Sequence, residues 1–108
     1  MRYEFIESPI FTALLSDYLT DEDYAALQNY LCEHPEAGDV VRGSGGVRKV
    51  RWRRAGSGKS GGVRVCYYAR THAGQMLMLV IDAKSVRDSI PGPVLKALRE
   101  EMEHADER

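Results

Sequence analysis

The stretch "VRKVRWRRAGSGKSGGVRVCYYAR", Val47 to Arg70, decides how this chain folds. Before it apolar residues recur every three or four positions; within it they recur every second position. In "VRKVRWRR", Val47 to Arg54, Val50 and Trp52 share a face with Arg48 and Arg54, while Lys49, Arg51 and Arg53 share the other. In "GVRVCYYAR", Gly62 to Arg70, Val63, Val65 and Tyr67 lie on one face and Arg64, Cys66, Tyr68 and Arg70 on the other. Successive side chains of a strand point to opposite faces, so both segments read as strands with one core face and one face rich in cations. The connection "AGSGKSGG" suits a hairpin.

Working outward, "THAG" leads into "QMLMLVIDA", Gln75 to Ala83, which is apolar on both faces as expected of a central or doubly covered strand. Three strands so connected predict an antiparallel meander. Upstream, "YEFIES", Tyr3 to Ser8, alternates as a half-buried strand and Pro9 ends it. Ile10, Phe11, Leu14, Leu15 and Tyr18 are spaced for a short amphipathic helix. A second helix begins at Thr20 or Asp21, has Glu22 and Asp23 in its first turn and a Tyr24, Leu27, Leu31 stripe, and stops between Pro35 and Gly38. A last helix, Pro93 to Glu103, carries Val94, Leu95, Leu98 and Met102. The expected order is β-α-α-β-β-β-α: an α+β domain spanning residues 1–108, a small antiparallel sheet with an N-terminal helical hairpin and a C-terminal helix grouped against one face.

The net charge of −1 conceals a segregation. Residues 1–41 hold nine acids and one base, residues 42–81 hold nine bases and no acid, and residues 82–108 hold seven acids and five bases. A forty-residue block without an acid, in an otherwise acidic chain, is the footprint of a polyanion contact. Its longest apolar run, "MLMLVI", is too short for a membrane helix, and "MRYEFIESP" lacks the apolar core of a signal peptide. A cytoplasmic protein with two free thiols, Cys32 and Cys66, and no membrane partner is expected.

"GSGKS" invites comparison with a phosphate-binding P-loop, which needs a glycine five positions before the Gly-Lys pair and a helix after it. Arg53 occupies the place of that glycine, and a strand follows Ser60. Without the helix dipole nucleotide cradling has no physical basis. What remains is Lys59 on a loop between two basic strands, Arg64 and Tyr68 on one strand face with Cys66, and Lys84 just past the third strand. No His, Cys and carboxylate spacing suggests a catalytic metal, and no cofactor is expected.

The runs "HPEAGDVVRGSGGVRKVRW", "GKSGGVRVCYYA" and "IDAKSVRDSI", with this order of elements, resemble the RelE/ParE superfamily of toxins from bacterial type II toxin-antitoxin systems, and HigB-type toxins within it. The resemblance extends from Tyr3 to about Met102. It implies a RelE-like fold and a ribosome-dependent, metal-independent endoribonuclease that cleaves mRNA, inhibits translation and is silenced by a cognate antitoxin of helix-turn-helix type. Carried over by position, the catalytic candidates are Lys59, Arg64 and Lys84. Arg48, Lys49 and Arg51 become RNA-backbone contacts, with Arg53 and Tyr68 beside them. Where relatives commonly have an apolar residue or tyrosine before "AK", this chain has Asp82, a carboxylate near the basic face that would reduce activity if it paired with it.

The residue types suit the implied chemistry. Attack of an RNA 2′-hydroxyl on the adjacent phosphate builds negative charge that preorganised guanidinium groups stabilise, which makes Arg64 the expected transition-state clamp. Lys59 and Lys84 are candidates for base, acid or phosphate ligand, and the residues leave these roles open. Two other readings stand beside this one: a gyrase-poisoning toxin of the ParE branch, and an inactive relative whose basic sheet only docks antitoxin or nucleic acid.

Overall fold

The computed structural model describes residues 2–53, 62–83 and 90–106. Strand β1 (Glu4–Glu7) leads into helices α1 (Pro9–Tyr18) and α2 (Asp21–Glu33). Then come strands β2 (Asp39–Val40), β3 (Arg48–Arg53), β4 (Gly62–Arg70) and β5 (Gln75–Ala83), and helix α3 (Gly92–Asp106). The five strands form one sheet in the order β1-β5-β4-β3-β2. Among the described residues no helix is long and apolar enough to cross a membrane.

The meander is present: β3, β4 and β5 pair antiparallel in sequence, and the Thr71–Ala73 turn, closed by Gly74 at φ 66°, joins the last two. Three expectations need correction. The sheet is mixed, because β1 runs parallel to β5. There is an additional strand, so the order is β-α-α-β-β-β-β-α. This strand, β2, has only two residues, too few to display a period, and is specified by pairing with Lys49 and Arg48. Its turn is closed by Ser44, wholly buried, whose hydroxyl donates to Val41 O at 2.5 Å and accepts from Val47 N at 3.0 Å.

The third correction concerns layers. Phe11, Leu19, Leu27 and Leu31 of the hairpin region pack on Val63, Val65, Tyr67, Met76 and Met78. Leu95 and Met102 of α3 pack instead with Cys66, Leu77 and Leu79. Since odd and even residues of β4 face opposite ways, the hairpin and α3 lie on opposite faces. The sheet is thus the middle of three layers, which explains why β5 is apolar on both sides. Burying a side chain such as Met78 on the hairpin face or Leu77 on the α3 face contributes about 1.5–3 kcal/mol, so each face of this strand contributes to stability.

Helix starts follow local chemistry. Ser8 caps α1 by accepting from Phe11 N at 3.0 Å, with Pro9 in the first turn where its missing N–H costs nothing. Thr20 caps α2 by accepting from Asp23 N, and three acids occupy the first turn of that helix.

One irregularity of β5 decides which residues meet at the site. Val80 lies opposite Cys66 but Met78 lies opposite Tyr67, so Leu79 is an extra residue, a β-bulge. Ser8 anchors it, donating its backbone N–H to Met78 O at 2.9 Å and its hydroxyl to Leu79 O at 2.7 Å. The bulge shifts the alternation by one residue. Met76 and Met78 face the hairpin before it, Ile81 faces the hairpin after it, and Asp82 therefore emerges on the α3 side.

Candidate nucleic-acid interface

On the α3 side of the sheet, cross-strand register sets charged side chains in rows. Arg51 lies opposite Arg64, and Arg64 lies opposite Asp82. The next row reads Asp39, Lys49, Cys66 and Val80. Arg53, opposite Gly62, extends the Arg51 side of this face outward, and both Arg51 and Arg53 are exposed. Two like charges directly opposite on neighbouring strands destabilise a sheet, so the Arg51 and Arg64 pairing needs a compensating anion. Asp82 supplies one: Arg64 Nε donates to Asp82 Oδ1 at 3.0 Å, with side-chain exposures of only 12% and 18%.

Lys49, Arg64 and Asp82 give one cleft its charged lining, and Val41, Val80, Ile90 and Leu95 its apolar lining. Cys66 lines the same cleft. Burial pushes its thiol up to about 11; the Asp82 carboxylate adds to the rise while Lys49 and Arg64 oppose it. The group is therefore a neutral thiol near pH 7, and thiolate nucleophilic chemistry is disfavoured at this site.

Helix α3 closes one end of the face. Arg99 Cζ lies 4.6 Å from the centroid of the Tyr68 ring, and a Cβ on Gly46 would come within 3.2 Å of Tyr68 Cε1. Glu103 pairs with Arg99 on the same helix and with Arg70 Nε on β4 at 3.3 Å. Tyr68 does share the face of Arg64, as its position in the strand predicts. Its ring is stacked under the Arg99 guanidinium, which ties it to α3.

Arg48 is set apart from the other basic residues. Its guanidinium donates to Glu36 O at 2.8 Å and Gly38 O at 3.3 Å. The Tyr67 hydroxyl donates nearby, to Ala37 O at 2.8 Å and Pro35 O at 3.1 Å. Arg48 and Tyr67, on the hairpin side, thus hold the segment leaving α2. The face opposite them gathers Lys49, Arg51, Arg53 and Arg64, together with the half-buried Tyr68. Lys59 and Lys84 lie outside the described residues.

Sequence reasoning did not single out Val41, Val80, Ile90 or Leu95 as lining the site. Leu95 was visible only as part of a helix stripe, and nothing in the pattern distinguished Val41 from the connection around it. Arg99 was likewise unmarked, because its contact with Tyr68 depends on which face α3 takes. Among the described residues no three His, Cys, Asp or Glu side chains gather as a metal cluster. No protein-family model matches this chain.

Proposed function

We propose that this protein is the toxin of a type II toxin-antitoxin system, a ribosome-dependent endoribonuclease that binds mRNA across the α3 side of its sheet. The observation that carries the reading is the juxtaposition of Lys49, Arg51 and Arg64 on adjacent strands. Such a face concentrates positive potential where an RNA backbone would lie, and guanidinium groups suit the charge that develops on phosphorus. Arg64 is the proposed clamp: the central strand holds its backbone, and Asp82 engages its Nε. The cleft's apolar lining offers a surface for the ribose or base attached to the phosphate. Lys59 and Lys84 remain the proposed proton-transfer or phosphate-binding partners, and a cognate antitoxin the proposed silencing partner, in a cytoplasmic setting.

The Arg64–Asp82 ion pair also favours a second reading, a catalytically silent relative whose basic face docks antitoxin or nucleic acid. Purified ribosomes translating a defined message separate the two. Codon-positioned cuts are expected from the wild-type protein. Arg64→Ala is expected to reduce cutting about 10²- to 10³-fold, the usual cost of one transition-state donor. Unchanged cutting by Arg64→Ala would remove Arg64 from the chemistry. Absence of cuts by the wild type would overturn the nuclease reading, and gyrase-dependent DNA breaks in its place would favour the ParE-like alternative.

A further inference from the structure

We infer that Asp82 is a built-in placeholder for phosphate: its carboxylate occupies Arg64 in the free protein, and an incoming phosphodiester displaces it. The inference rests on the reading that this face handles phosphate, but not on whether RNA is cut. Three observations meet here. Arg64 stands between Arg51 and Asp82 in one cross-strand row. The pair is largely withdrawn from water, which strengthens its Coulomb attraction relative to an exposed pair. The third is the bulge at Leu79, without which the alternation of β5 would turn Asp82 toward the hairpin. Ser8, itself wholly buried, holds that bulge through two hydrogen bonds. The fold thus uses a specific backbone irregularity to place the first acid after the basic block against its central arginine.

The energetics favour exchange over permanent closure. Asp82 is tethered, so its contact carries no association cost, whereas a phosphate must be brought from solution. A phosphodiester, like the carboxylate, shares one charge over two oxygens that match the guanidinium fork, but its neighbours along an RNA strand engage Lys49, Arg51 and Arg53 at the same time. A single phosphate therefore competes poorly with Asp82, while a strand of several phosphates competes well. The carboxylate sets a threshold of length and charge for ligands of this face, and it relieves the repulsion between Arg51 and Arg64 until such a ligand arrives.

The test is a double-mutant cycle on binding of a fluorescent single-stranded oligoribonucleotide, without ribosomes, at fixed low salt. Asp82→Asn preserves shape and removes the charge. We expect it to bind about tenfold more tightly than wild type, but less than about twofold more tightly when compared in an Arg64→Ala background. The advantage should be larger for inorganic phosphate or a dinucleotide than for a ten-nucleotide strand. In the absence of ligand Asp82→Asn should melt at a lower temperature, and saturating oligonucleotide should remove the difference. Unchanged or weaker binding by Asp82→Asn would overturn the inference, as would binding by neither protein. An equal gain in the Arg64→Ala background would also overturn it, by reducing the effect to bulk charge. Since no cleavage is measured, a positive cycle with no ribosomal activity would sink the nuclease reading while leaving the placeholder intact.

Discussion

Cys66 and Tyr67 are neighbours in β4 but belong to different layers, and their ionisation reports on both. Burial raises each group, the Cys66 thiol from an ordinary 9.0 to about 11 and the Tyr67 phenol from 10.0 to about 12. A group whose folded pKa lies above its unfolded value adds stability that is complete below the unfolded pKa and is lost as pH rises through the folded one. The fold should accordingly weaken progressively between about pH 9 and pH 12. Tyr67→Phe tests the larger layer: it removes the hydroxyl held by Pro35 O and Ala37 O. We expect a loss of about 1 kcal/mol at pH 7 by urea denaturation, from the missing hydrogen bonds. The decline between pH 10 and pH 12 should be shallower than in the wild type, because one titrating group is gone. An identical alkaline decline would show that Tyr67 does not govern it.

At the scale of elements, α3 is the piece whose placement matters most to the site. It supplies Leu95 to the cleft, stacks Arg99 on Tyr68 and ties to β4 through Glu103 and Arg70. Its first residue, Gly92, is wholly packed against the β2–β3 connection: a Cβ there would lie 1.9 Å from Arg42 O. No side chain can relax such a backbone overlap, so the helix must move. Gly92→Ala is expected to destabilise the protein by about 3 kcal/mol, near the upper end of ordinary overpacking costs. Val94→Ala is the control, since Val94 is 55% exposed and its truncation should cost well under 1 kcal/mol. Thermal melts compare the two, and equal melting temperatures would remove Gly92 from the α3 docking. The helices and the three long strands were legible in the sequence because each displays its own period. The two-residue β2 was not, since a pattern needs more positions than it has.

For the whole molecule, the segregated charge becomes a directed one. The acid-free block folds into the sheet, but alternation divides its cations between the two faces. Arg48 goes to the hairpin side and bonds the backbone at Glu36 and Gly38, while Lys49, Arg51, Arg53 and Arg64 go to the other. Four phosphate contacts would give a slope of about −3 for log K against log salt on single strands. Arg51→Ala is expected to reduce that slope by about 0.7. Arg48→Ala should leave it unchanged and lower stability by roughly 1 kcal/mol through its lost hydrogen bonds. Equal slopes for both variants would place the ligand somewhere other than the α3 side.

The chain's local pattern specifies the α+β class, the meander and the concentration of cations on its strands, because period, turn residues and charge are local properties. It also placed Arg64, Cys66 and Tyr68 on one face, which follows from alternation within a single strand. Tertiary structure alone decided that α3 lies opposite the hairpin, that Tyr68 is stacked beneath Arg99, and that β1 runs parallel to β5. It decided as well that Asp82 meets Arg64. That contact depends on one extra residue in β5, held by a serine 71 positions earlier in the chain. A bulge inverts every side chain beyond it without changing the composition of the strand, so no pattern within the strand could announce it.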